Sequence, residues 1–243
     1  MTATGTGWWV ALSRQEAMLA DLAWLTGEDL ATAAVLPAGR RPEHLAAVVL
    51  VRRLLTSTGS GGAAIARDGY GRPYLPGGPA ISYAHADGWV AAALGPPAAR
   101  LGVDVQGCRR ATPAMLRRLC PQDVDRLLVL PDRWRRSQFA TVWAVKEACG
   151  KATGRGLRMP PTEPHVPPFQ RHGDVAAEPI GKPTGKPIGE PVAEPIRWWI
   201  AQPATGSRPA VAVAIGTDES SRVRWRRTAI SPGVERGWVS HAA

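Results

Sequence analysis

Cysteine is scarce in this 243-residue chain: Cys108, Cys120 and Cys149 are an odd number with no CxxC pair and no metal-ligand spacing. That pattern excludes a disulfide framework and fits a reducing compartment, so a cytoplasmic protein is expected. Long apolar runs are also missing, so no membrane-spanning helix is expected. The first residues lack a basic region followed by an apolar stretch, and no signal peptide is expected. Lysine is the third scarcity. Of thirty Lys plus Arg only four are lysine, at Lys146, Lys151, Lys182 and Lys186, and two of those fall in one short stretch. Lysine offers what arginine does not, a compact ammonium suited to a phosphate oxygen and a pKa that burial can move. That stretch is therefore a candidate for phosphate chemistry.

A hydrophobic fraction of 44% and a charged fraction of 21% are ordinary for a soluble globular protein long enough to bury a core. The net charge of +10 is not ordinary. It points to an anionic partner: nucleic acid, a membrane surface, a phosphorylated cofactor or an acidic protein. Much of it comes as arginine pairs, such as Arg40-Arg41, Arg52-Arg53 and Arg117-Arg118, with no single basic block.

Patterning gives the order of elements. A short apolar strand is expected over 7–12, then a helix around 14–25 with Ser13 as a possible N-cap. Helical spacing of Leu45, Val48, Val49, Arg52 and Leu55 predicts a helix over 42–58. Strands follow at 64–67, 80–85 and 89–94, around a turn-rich segment at 68–78. Residues 100–106 alternate cleanly, with Leu101, Val103 and Val105 on one face and Gly102, Asp104 and Gln106 on the other. Two short helices at 113–119 and 121–130 open on prolines, and a long helix runs over 133–152. The proline-spaced segment 160–195 reads as an extended low-complexity insertion. Closing strands are expected at 196–200 and 209–215, and from 217 a loosely ordered Arg-rich tail. The fold class is α+β, with two similar lobes at 1–98 and 99–216 meeting near 95–104, and the tail at 217–243.

Trp143, Glu147 and Lys151 are spaced i, i+4, i+8 and lie along one helix face, which Gly154 and Gly156 end. Asp104, central in a core-forming strand, wants a partner such as a cation or a metal. Asp104 and Glu147 would together give Mg²⁺ the two oxygen ligands a protein usually supplies when substrate phosphates supply others. Spacing alone leaves blander readings open: a surface Glu–Lys pair on an amphipathic helix, a turn or core histidine at His85, and solvated arginines at Arg41 and Arg52.

Taken in order, Gly71-Arg72-Pro73, the segment Ile81 to His85, Gly102-Val103-Asp104-Val105-Gln106, and Trp143-Ala144-Val145-Lys146-Glu147-Ala148 with Lys151, Gly154, Gly156 and Leu157 carry a specific resemblance. The series, spanning roughly 40–215, resembles the surfactin-type 4′-phosphopantetheinyl transferases. The resemblance implies a pseudo-twofold pair of α+β lobes with coenzyme A in the cleft between them. It implies Mg²⁺-dependent transfer of the 4′-phosphopantetheine arm to a serine of an acyl or peptidyl carrier protein, leaving 3′,5′-ADP. By motif match, Asp104 and Glu147 would bind Mg²⁺, with Gln106 as a possible third ligand. Glu147 would accept the serine proton, and Lys151 would stabilise the leaving diphosphate. His85 and Arg72 would contact coenzyme A phosphates, joined by Arg41 and Arg52. The partners implied are coenzyme A and an acidic carrier protein, with no nucleic acid or membrane, for a monomeric cytoplasmic enzyme of polyketide or nonribosomal peptide biosynthesis.

Gln106 departs from the family by replacing an acid, and Ser82, Ala84 and Ala86 stand where Asn, Ser and Ser or Thr are usual. Two other classes compete: a coenzyme A-binding relative without turnover, and a basic nucleic-acid-binding protein. The latter explains the charge but not the four ordered motifs, and the sequence has no zinc spacing, RNP signature or basic-region heptad.

Overall fold

The structure is a computed structural model that describes residues 8–69, 71–156, 159–160, 162–175, 195–202, 204–205, 208–216, 223–231 and 234–241, the last two segments by their backbone alone. The chain opens with β1 (Trp8–Arg14), α1 (Gln15–Leu19), a 3₁₀ turn at Leu22–Trp24, α2 (Gly27–Ala34) and α3 (Arg41–Ser57). A short hairpin, β2 (Ala66–Arg67) and β3 (Pro73–Tyr74), precedes β4 (Pro79–Ala86) and β5 (Trp89–Pro97). Then come β6 (Leu101–Gln106), α4 (Pro113–Leu119), α5 (Val124–Leu128) and α6 (Asp132–Ala152). The remaining strands are β7 (His172–Val175), β8 (Ile196–Gln202), β9 (Ala210–Gly216), β10 (Val223–Ser231) and β11 (Val234–His241).

The larger strands form two antiparallel sheets, ordered β10-β11-β1-β5-β4 and β6-β9-β8-β7. Their side chains alternate between two apolar layers, as period-2 geometry requires. In the first sheet Ala11, Val90, Ala92 and Leu94 face α3, whose Val49, Leu50, Leu54 and Leu55 are fully buried against them. In the second, Ala210, Ala212, Ala214, Ile196 and Trp198 face α6. The opposite faces meet each other: Trp8, Val10, Ala91 and Ala93 pack on Leu101, Val103, Val105, Val211, Val213 and Ile215. The result is helix, sheet, sheet, helix, a mixed α+β architecture. Each fully buried Leu, Ile or Val side chain in it contributes about 1.5–3 kcal/mol of desolvation.

Two edge strands matter for function. β4 ends the first sheet and β6 begins the second. Where they approach, the Val103 N–H donates to the Ser82 hydroxyl at 3.0 Å, so a side chain bridges the seam where a backbone ladder could have run.

Several expectations change. Ser13 does not cap α1; its hydroxyl donates to the Arg14 carbonyl, and the helix ends at Leu19. An unforeseen helix, α2, follows, opened by a capping box in which Thr26 and Asp29 satisfy each other's backbone N–H groups. The loosely ordered tail is corrected: β10 and β11 form a hairpin, and β11 pairs along β1 from Trp8↔Val239 to Ser13↔Val234. The low-complexity insertion begins later than 160. Met159 and Val166 are buried in the second core and β7 pairs with β8; positions 176–194 lie outside the described residues. Among the described residues no helix is long and apolar enough to cross a membrane.

Candidate functional site

The site is set by how closely α6 lies on β6. A Cβ placed on Gly102 would fall 1.9 Å from the Ala148 carbonyl oxygen and 2.8 Å from the Ala152 nitrogen. Only glycine admits that approach, which lays one turn of α6 directly across the strand. Asp104 is two residues along β6 on the same face as Gly102. Lys151, one turn beyond Glu147 on α6, meets it: Nζ donates to Asp104 Oδ1 at 2.9 Å, to the Val103 carbonyl at 2.8 Å and, more weakly, to the Tyr83 carbonyl at 3.4 Å. The ammonium thus holds β6 and, across the seam, β4.

The electrostatics tie four sequence-predicted residues into one place. Burial pushes the Asp104 carboxyl up, against the opposing pull of the Lys151 ammonium and of the Val105 N–H. Burial also raises Glu147, and the Asp104 charge raises it further, while Lys151 works the other way. A carboxylate whose ionisation is hindered by a second one beside a single ammonium is short of positive charge. His85, on β4, is lowered chiefly by burial; Glu43 raises it, Lys151 lowers it, Asp104 raises it and Arg40 lowers it. Asp104, Glu147, Lys151 and His85 therefore share one field, although His85 is 62 positions before Glu147 in the sequence.

A divalent cation fits this donor set. A hard ion takes oxygen ligands, and the upward push of the Asp104 charge on Glu147 is what a cation shared by them would relieve. Among the described residues no three His, Cys, Asp or Glu side chains come together. The two carboxylates would hold such an ion only in part, its other oxygens coming from water and substrate. Gln106 lies on the same face of β6 at its partly buried end, paired with Ala210 on β9.

Beside Glu147 opens a cavity of about 350 Å³, walled by Trp143, Met115, Leu119, Met159 and Pro160 and edged by Arg118 and Lys146. Its far wall is fastened to the protein. Lys146 Nζ donates to the Pro164 carbonyl at 2.6 Å, and His165 Nε2 lies 2.7 Å from the buried Asp123. Burial drops Lys146 to about 8.

The arginines behave differently. Arg52 is only 3% exposed; its Nε and Nη2 donate to Asp29 and its Nη1 to the Ala63 carbonyl. It is enclosed, and these protein partners take up the guanidinium. Arg41 donates to the Leu36 and Ala34 carbonyls at the end of α2, so it closes a helix terminus and joins none of the site residues. Arg72 is 53% exposed and pairs with Asp68 in its own turn at 3.1 Å. It lines a different cavity with Arg100, between the turn after β3 and the start of β6.

Glu43, in the first turn of α3, was not foreseen; its Oε2 lies 3.2 Å from His85 Nδ1. Its partner is 42 positions away, and nothing local signals the pairing. Ser82 and the Tyr83 carbonyl were likewise missed as seam contacts, because a hydroxyl or a carbonyl carries no spacing signal.

Residues 100–192 match the family model described as the 4′-phosphopantetheinyl transferase superfamily. The matched segment takes in Asp104, Gln106, Glu147, Lys151 and every lining residue of the cavity beside Glu147, and leaves out Arg41, Arg52, Arg72 and His85. The match supports phosphopantetheine transfer in general, with coenzyme A as the substrate that superfamily implies. No curated protein matches the chain.

Proposed function

We propose that the protein is a surfactin-type enzyme that transfers the 4′-phosphopantetheine arm of coenzyme A to a serine of an acyl or peptidyl carrier protein, releasing 3′,5′-ADP. The observation that carries this is the meeting of Asp104, from a strand, with Lys151 and Glu147, from a helix more than forty positions later, at the segment that matches the superfamily. In the reaction the serine oxygen attacks the phosphorus that bears the pantetheine arm. The bond from that phosphorus to the bridging diphosphate oxygen breaks, and its electron pair leaves with 3′,5′-ADP. The serine proton goes to Glu147, directly or through water. Lys151 offsets the negative charge that grows on the leaving oxygen. Asp104 and Glu147 would hold Mg²⁺, with Gln106 on the same face; when bound, the ion neutralises diphosphate charge. His85 would meet a coenzyme A phosphate with the nitrogen that Glu43 leaves free, and the exposed Arg72 would meet another. The enzyme would act in the cytoplasm, and the net charge of +10 suits acidic carrier proteins.

The test is incubation with coenzyme A, Mg²⁺ and an apo carrier protein, read by mass spectrometry for phosphopantetheine addition. Wild type should modify the carrier. Glu147→Ala and Lys151→Ala should lower the rate by at least about a hundredfold with the circular dichroism unchanged. Undiminished transfer by both variants would remove these roles, and coenzyme A binding without transfer by the wild type would mark a non-catalytic relative.

A further inference from the structure

An ammonium has three N–H donors, and in this structure Lys151 directs all three at the protein itself: at Asp104 Oδ1, the Val103 carbonyl and the Tyr83 carbonyl. None is left over for a substrate oxygen. One of the three also caps an oxygen of the very carboxylate that the transfer reading gives to a cation. Asp104 is 8% exposed, so water screens this pairing little. The carboxylate at the strand centre thus already has a protein cation on one of its oxygens.

We propose that Lys151 is the resident counter-ion of the site: in the ligand-free protein its ammonium occupies Asp104 in place of a divalent cation, and the cation gains that carboxylate only when an incoming diphosphate draws the ammonium away. The inference rests on the transfer reading for the identity of the ligands, and on the three contacts of Lys151 for its geometry. The exchange conserves charge. The ammonium gives up one carboxylate contact and takes a phosphate contact, while the carboxylate passes to the metal. It follows that metal and coenzyme A enter as coupled ligands, and that the free protein holds metal poorly for a chain with two adjoining carboxylates. The two carbonyl contacts let Lys151 move little during the exchange, since they tether it to β6 and β4 throughout. They also explain why lysine stands here in a chain that otherwise writes arginine: a compact ammonium can satisfy a carboxylate and two carbonyls from one point.

The experiment is Mn²⁺ binding to the full-length protein without coenzyme A, followed by electron paramagnetic resonance of the free ion. Lys151→Met and Lys151→Gln both remove the charge, and the amide of the latter keeps a donor for the seam carbonyls should the former fail to fold. Each folded variant should bind Mn²⁺ at least about tenfold more tightly than wild type. Combining Lys151→Gln with Asp104→Asn should abolish that gain. Equal or weaker binding by the lysine variants overturns the proposal, as does a gain that survives loss of Asp104. The transfer assay on the wild type separates the two failures. An unchanged Mn²⁺ affinity with transfer intact removes the counter-ion role alone, whereas no gain and no transfer removes both readings.

Discussion

Lys146 and Lys151 stand five positions apart on α6 and meet opposite fates. Lys151 has a carboxylate partner, while Lys146 is buried with only a carbonyl, that of Pro164, within hydrogen-bond reach among its described contacts. A carbonyl stabilises an ammonium far less than a carboxylate does, so desolvation dominates and the proton of Lys146 is held loosely, to about 8. The unfolded chain, whose lysines titrate near 10.5, then binds more protons than the fold between about 8 and 10.5. The contribution of Lys146 to stability therefore rises as pH climbs through that window. The stability difference between wild type and Lys146→Met should shift in favour of wild type by on the order of 3 kcal/mol from pH 7 to pH 10.5, read by urea unfolding. A difference flat across pH would mean that the ammonium is solvated. Arg52 teaches the complementary lesson. As a charge in an arginine-rich helix it reads as surface, yet it is the buried partner of Asp29, whose carboxyl it keeps low against the upward push of burial. Charge in a sequence announces a need for a partner without saying whether that partner is water, ligand or protein.

Among the elements, the contact of α6 with β6 carries the most consequence. Because a methyl at Gly102 would strike the backbone of Ala148 and Ala152, no side-chain adjustment relieves it and the helix itself must move. Gly102→Ala is expected to cost about 1–3 kcal/mol in thermal unfolding and to lower carrier modification well beyond that loss, since Lys151 and Glu147 move with the helix. Unaltered transfer in a folded Gly102→Ala protein would show that the approach is not needed. The strands and helices that place the site were legible. The alternation of Leu101 to Gln106, the i, i+4, i+8 face of Trp143, Glu147 and Lys151, and the strands β8 and β9 all follow from periodicity. What local pattern did not give is of two kinds. Short elements closed by unusual caps were lost, as with α2, whose box uses aspartate where glutamate is the stronger signal. Contacts between distant segments were lost as well: the Glu43–His85 pair, the Ser82 bridge to Val103, the burial of Arg52 against Asp29, and the folding of the exposed Arg41 onto the end of α2.

At the scale of the whole molecule, the chain crosses back on itself. The Arg-rich sequence from 217 onward reads as a loosely ordered tail because its charge outweighs its period, yet from Val223 it supplies two strands of the first sheet. Removing everything after Gly216 would strip β1 of its β11 ladder and leave it an open edge. The truncated protein should melt at lower temperature than the full chain and self-associate, measurable by calorimetry and light scattering. An unchanged, monodisperse protein would show the hairpin to be dispensable. The central layer adds a further tie, as residues of both sheets share it and neither half has a separate core on that side.

The pairing of β1 with β11 also sets a timetable. Val10 finds Gly237 only after more than two hundred intervening residues have left the ribosome, so β1 must wait for β11. Closing so long a loop is slow, and in the meantime the newborn first half would depend on chaperones, or on speed of translation, to keep its unfinished border from meeting the wrong neighbour.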